Sequence, residues 1–178
     1  AQGVARDGGR GSQKKSDELI AEQRTSGVGY LERTLLPAQE DEVLELDEMW
    51  SYVGKKTNRV WIWIALCRRT RQVVAWWYGP RDNLSCQTLW DRIPASYKRG
   101  RAYTDFYATY KGTVPPDQHC PSAKKHGLTN HIERFNLTLR QSLARFVRKT
   151  LSFSKKLLPH IQTLRLFFVA YNQRAAKR

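Results

Sequence analysis

Three runs dense in Val, Ile, Trp and Tyr, at residues 43–52, 60–67 and 73–78, constrain this chain most. Each is closed by Gly, basic or turn-forming residues: Gly54-Lys55-Lys56-Thr57-Asn58, then Arg68-Arg69-Thr70-Arg71, then Gly79-Pro80. β-Branched and aromatic runs with such boundaries read as strands, and connections this short predict an antiparallel meander. Asp82-Asn83 is placed to cap a helix from residue 84 to about 93, which Pro94 would end. A fourth strand over 101–105 is expected next, then a turn at Val114-Pro115-Pro116-Asp117 and a short strand near 118–120. With helices to follow, that order predicts an α/β fold, a mixed sheet covered by helices. The longest apolar run, residues 60–67, is far below the roughly 20 residues of a membrane span.

Two helices are expected to close the chain. Leu128, Ile132, Phe135, Leu139, Leu143 and Phe146 recur at spacings of 4, 3, 4, 4 and 3, one face of an α-helix. Leu157, Ile161, Leu164, Phe168 and Tyr171 do the same, with Pro159 tolerable only near the first turn. At the other end, residues 1–16 are rich in Gly, Ser, Gln and charge, and an acidic run closes at Glu42. Residues 1–41 therefore read as a disordered or linker segment and 42–178 as the folded domain. Trp76 and Trp77 are expected in the core rather than as stacking platforms.

Charge divides the 178 residues unequally. Residues 1–48 hold 6 Lys or Arg against 11 Asp or Glu, a net of −5, whereas residues 49–178 hold 25 against 5, a net of +20. An excess confined to one part suits a phosphate backbone as partner, because each neutralised phosphate releases a counterion; the alternative is a solvated basic surface. Cys67, Cys86 and Cys120 are far apart and form no C-x-x-C pair, which argues against a disulfide framework or a zinc knuckle and for a reducing compartment.

Three carboxylates stand out against this basic background. Glu133 is the only acid after Asp117, and Asp47 and Asp105 each follow a strand-like run, where side chains of an α/β sheet reach an open crevice. If the first and fourth strands are neighbours, the two aspartates meet; such a pair repels unless a divalent cation keeps both ionised. At about 100° per residue, Glu133, Asn136 and Arg140 share one stripe, about 100° from the centre of the apolar face. The helix can then bury its apolar residues while aiming Glu133 at the aspartates. Each acid alone has an ordinary reading: a surface strand end for Asp47, a turn or cap for Asp105, a helix-dipole partner for Glu133. Together, in a basic chain, they suggest a divalent-metal site, magnesium by its preference for oxygen ligands, acting on nucleic acid. A carboxylate-pair hydrolase of sugars would have no use for the net +20.

The motifs Leu46-Asp47-Glu48-Met49-Trp50-Ser51-Tyr52-Val53-Gly54, Tyr103-Thr104-Asp105, Ile132-Glu133-Arg134-Phe135-Asn136-Leu137-Thr138-Leu139-Arg140 and Arg148-Lys149-Thr150-Leu151-Ser152-Phe153-Ser154-Lys155 occur in this order. From about residue 43 to 172 the chain resembles the catalytic part of the bacterial insertion-sequence-one family of transposases. The resemblance implies a ribonuclease-H-like fold, an Asp-Asp-Glu triad at Asp47, Asp105 and Glu133, two magnesium or manganese ions, and cleavage and strand transfer on DNA. It also implies a cytoplasmic, nucleoid-associated protein working as a homodimer or higher oligomer on DNA. Lys124, Lys125, Arg140, Arg148 and Lys149 are the candidates for backbone contacts; a catalytically inactive nucleic-acid-binding remnant is the alternative. Two departures stand out. Phe135 takes the place of the histidine that usually follows Ile-Glu-Arg in the family, and nothing in residues 1–42 resembles the family's zinc-binding and helix-turn-helix region, so a shortened copy or the catalytic half of a fused product is expected.

Overall fold

The computed structural model describes residues 28–123, 127–147 and 149–177. Strands β1 (Leu44–Tyr52), β2 (Arg59–Cys67) and β3 (Val73–Gly79) form the expected meander, with Leu44 opposite Cys67 and Tyr52 opposite Arg59. β4 (Ala102–Thr104) pairs parallel to β1, and β5 (His119–Pro121) parallel to β4. The spatial order is β3-β2-β1-β4-β5, a five-stranded mixed sheet. With helices on both faces, this is the ribonuclease-H-like α/β fold.

Alternation along β1 distributes its side chains between two cores. Leu44 and Leu46 join Trp63, Ala65 and Trp77 against helix α2 (Asn83–Arg92), which contributes Cys86, Leu89 and Trp90. Met49 joins Ile62, Ile64, Leu66, Trp76 and Tyr78 on the opposite face, under α4 (Asn130–Ser142) and α5 (Leu157–Ala175). A register shift between Ala65 and Leu66 lets consecutive residues Val74 and Ala75 enter the same core. Asp82 caps α2 by accepting from the Ser85 N–H. Pro159 is the third residue of α5, where its missing N–H has no intrahelical partner to lose. Trp76 and Trp77 are both buried. Among the described residues no helix is long and apolar enough to cross a membrane, and Cys67, Cys86 and Cys120 are free thiols.

Three expectations need correction. The apolar period from Leu128 to Phe146 is not one helix: Leu143 adopts an extended conformation (φ −123°, ψ 99°), and a 3-10 turn (Ala144–Phe146) follows. Arg140 Nη1 donates to the Phe146 carbonyl at 3.0 Å and closes that break, so Phe146 still reaches the core while Leu128 remains 38% exposed. Helix α3 (Ala108–Thr113) was not expected; six residues are too short to show a period. Asp47 is not at a strand end but fourth of nine residues in β1.

The segment before β1 begins with a short helix, α1 (Val28–Glu32). Residues 31–42 pack closely on the sheet. Leu31 lies in the core under α5, the Tyr97 hydroxyl donates to the Leu36 carbonyl at 2.5 Å, and Gln72 bonds both Thr34 and Leu36. Glu42, 2% exposed, is gripped by Arg69, the Gln39 N–H and the Cys67 thiol. Burial pushes its pKa up, but those bonds and the Arg69 charge outweigh burial and leave it lowered. A side chain at Gly100 would place its first carbon 1.9 Å from the Glu42 carbonyl oxygen, so only glycine permits this approach.

Candidate active site

The crevice follows from the shortness of β4. Only Leu44 and Glu45 of β1 are paired to it, at Ala102 and Tyr103. Continuing that register by two residues sets Asp47 across from Asp105, just beyond the last residue of β4. The sheet is open there between two strands, and both aspartates are half-buried. Asp105 Oδ1 accepts from the Tyr107 N–H at 2.9 Å, turning the chain into α3.

Helix α4 lies over the β1 face that carries Glu45, Asp47 and Met49. Its polar stripe runs along β1 in the expected order. The Asn136 amide donates to Asp47 Oδ2 at 2.7 Å, and Arg140 Nη2 to the Trp50 carbonyl at 3.3 Å. Glu133, one turn before Asn136, is half-buried and accepts from the Thr129 hydroxyl at 3.1 Å. Each carboxylate is thus held by a neighbour of its own. Among the described residues no three His, Cys, Asp or Glu side chains are gathered closely enough to hold an ion between them. The donors still suit a hard cation: they are all oxygens, and Asn136 Oδ1, beside Asp47, is buried without a partner.

Two further acids, Glu45 and Glu48, frame the site. Glu45 is fully buried. Its carboxylate accepts from the His131 and Ile132 N–H groups at 3.0 Å each, from His131 Nδ1 at 2.6 Å and from Arg68 Nε at 2.8 Å. It anchors the first turn of α4, where the helix dipole favours an anion, and so fixes the height of Glu133 above β1. Glu48, on the opposite face, binds Arg81 through Nε at 2.8 Å and Nη2 at 2.5 Å, and the Tyr110 hydroxyl at 2.7 Å. Burial raises the Glu48 pKa against the Tyr110 and Arg81 bonds, and the Asp105 charge adds to the rise. Arg81 lies 4.0 Å from the Tyr107 ring centre, so Glu48 braces the loop that carries Asp105. The i, i+2 spacing of Glu45 and Asp47 was the available signal for Glu45, since it puts both on one strand face.

Of the expected backbone contacts, Lys149 is exposed and Arg140 ties α4 to the end of β1; Lys124, Lys125 and Arg148 lie outside the described residues. Phe135 is 2% exposed, packed against Phe167, Phe168 and Tyr171 in the core. A cavity of about 1020 Å³ along β3 and α2 is lined in part by Trp77, Arg92 and Lys98 and touches none of the three carboxylates.

A ribonuclease-H-like sheet with an open crevice between β1 and β4 and an acid-bearing helix over it defines the fold class of the chain. The IS1 transposase family matches residues 42–172, and the chain belongs to that family. It is similar to the insertion element iso-IS1n protein InsB of Shigella dysenteriae, 35% identical over 125 residues that cover 70% of this chain and 92% of the relative. It is 38% identical over 116 residues to the insertion element IS1 protein InsB of Shigella flexneri, covering 65% of this chain and 86% of the relative. Over 116 residues it is 36% identical to the insertion element IS1 4 protein InsB of Escherichia coli K12, with 65% and 67% covered. Its role is that of a transposase, which implies interaction with DNA.

Proposed function

We propose that this chain cleaves and rejoins DNA at the ends of an insertion sequence, using magnesium or manganese held by Asp47, Asp105 and Glu133. What supports this reading is the β1–β4 register, with Glu45 beside Tyr103: continued by two residues it would set Asp47 across from Asp105, under the helix that bears Glu133. Two bound ions would supply an activated oxygen nucleophile and stabilisation of the leaving oxygen in an in-line displacement. The chain's own part is positioning. Asn136 orients Asp47, the Tyr107 N–H orients Asp105, and the Glu45 anchor sets Glu133. Asp47, Asp105 and Glu133 would hold the ions through carboxylate oxygens, kept in place by these bonds. Water would be the first nucleophile and the freed 3′-hydroxyl the second. A homodimer or higher oligomer on DNA, in the bacterial cytoplasm, completes the proposal.

The test is nicking of the element's own ends with magnesium present. Asp47→Asn, Asp105→Asn and Glu133→Gln should each abolish cleavage while retaining fold and DNA affinity, because each swap removes charge and conserves shape. A Glu133→Gln protein cleaving at the wild-type rate would overturn the role given to Glu133. A wild-type chain that binds DNA but never cleaves would be a non-catalytic remnant.

A further inference from the structure

Three segments far apart in sequence meet beyond the end of β1. The β1–β2 turn opens with Gly54 at φ +76°, a conformation that favours glycine, and carries exposed Lys55 and Lys56. Val53 bridges in parallel to Ser154, the Gly54 N–H donates to the Ser154 carbonyl at 2.8 Å, and Phe153 packs on Tyr52 at 5.6 Å between ring centres. Arg145 arrives from the 3-10 turn after α4 and donates to the Pro159 carbonyl. Together Arg145, Phe153, Ser154, Lys155, Lys156 and Pro159 line a cavity of about 250 Å³ at the start of α5.

The frame of this cavity is tied to the core and its charge is unbalanced. Ser154 is buried, with its hydroxyl 2.7 Å from Nδ1 of the fully buried His160, whose ring stacks on Phe146. No Asp or Glu occurs in residues 49–81 or 134–178, so none of the converging segments brings an acid. The ion pairs among the described residues lie elsewhere, at Glu42, Glu45 and Glu48. The first turn of α5 has no side-chain cap, so its amide dipoles add to the positive field. Cations assembled around a preformed cavity without counter-charge fit an anionic ligand.

We propose that this cavity is a subsite for one backbone phosphate of the DNA duplex, gripped by Arg145, Lys155 and Lys156. The proposal rests on the reading of the chain as a DNA-processing transposase. Val53, just past the end of β1, is six residues beyond Asp47, roughly 20 Å at about 3.3 Å per residue. For a duplex lying along β1, at about 3.4 Å of axis per step, the subsite would hold the DNA about six base pairs from the reacting phosphate. Because β1 carries Asp47 and leads into the Val53–Ser154 bridge beside the cavity, it sets the spacing between grip and crevice.

The experiment measures binding of the full chain to a labelled random-sequence duplex across a salt series. Lys155→Ala combined with Lys156→Ala should weaken binding about tenfold at moderate salt and reduce the log–log salt slope by about one. Arg99→Ala with Arg101→Ala removes the same charge before β4, at the other end of the sheet, and should leave the slope unchanged. Equal losses from both pairs, or no loss from the first, would overturn the subsite. A wild-type chain that binds no duplex at low salt would instead sink the DNA reading itself, and the subsite with it. Lysine acetylation of the wild-type chain adds a readout independent of any variant. Bound duplex should protect Lys155 and Lys156, whereas inorganic phosphate at the same ionic strength should not. Protection by phosphate alone would make the cavity a small-anion pocket and refute the claim for DNA.

Discussion

Glu45 is a fully buried carboxylate with four donors on it, and removing its charge while keeping its shape isolates what the charge contributes. In Glu45→Gln one amide oxygen can still accept, but the NH2 group would face donors, and Arg68 would lose its partner. Breaking a buried ion pair costs about 3–5 kcal/mol; Arg68 is partly exposed, so a loss of about 2 kcal/mol is expected from urea unfolding. Cleavage should fall further than stability alone would require, since Glu133 rides on the turn that Glu45 anchors. A variant as stable as the wild type would show that the amide pair, not the charge, holds α4. His160 makes a second prediction at this scale. Burial, reinforced by the Arg145 charge, lowers its pKa from 6.5 to about 4. The folded ring therefore stays neutral where the unfolded ring protonates. Stability rises with pH from about 4 to 6.5 and is lost as pH falls through that window, by about 2 kcal/mol between pH 7 and pH 5. His160→Gln should flatten that part of the profile, and an unchanged slope would remove His160 as its source.

At the scale of elements, α5 closes the molecule by standing in for a missing strand. β3 is the free edge of the sheet, and at its first residue the Asn172 side chain accepts from the Val73 N–H at 2.8 Å and donates to the Val73 carbonyl at 2.9 Å. Asn172→Ala strands both groups in a buried place, so a loss of about 2–4 kcal/mol is expected, with faster hydrogen exchange at the Val73 amide. Undiminished protection there would mean that water replaces the side chain. Nothing in the sequence singled out Asn172, because an edge-capping amide has no period. Regular elements were legible for the opposite reason: β1, β2, β3, α2 and α5 announce themselves by composition and repeat, and their ends match the expected ones to within a few residues. The polar stripe of α4 was legible too, since 100° per residue fixes Asn136 and Arg140 on one line once the apolar face is known. Its C-terminal break was not, because Leu143 and Phe146 continue the period through a non-helical turn. Glu45, Glu48 and Glu42 were illegible as buried anchors because their partners, Arg68, Arg81 and Arg69, come from other segments that only folding brings near.

For the whole molecule the division of charge becomes a division of labour. Three acids of the first part turn inward: Glu42, Glu45 and Glu48 are each paired and nearly buried, locking the entry segment, α4 and the Asp105 loop onto the sheet. They neutralise little of the surface, and 25 Lys or Arg after residue 48 face 5 acids. Phosphate contacts position a protein on DNA without reading its sequence, so the chain alone should bind duplexes with little sequence preference and a steep salt dependence. If six or more phosphates are engaged, affinity should drop about a thousandfold or more between 50 and 200 mM salt. Competition between terminal-repeat and random duplexes, repeated at several salt concentrations, measures both quantities at once. A shallow slope would mean that the basic surface is mostly solvated. A strong preference for the repeat would locate sequence reading either in residues 1–42 or on the domain itself, and the repeat-bound complex of a chain beginning at residue 43 would separate those two sources.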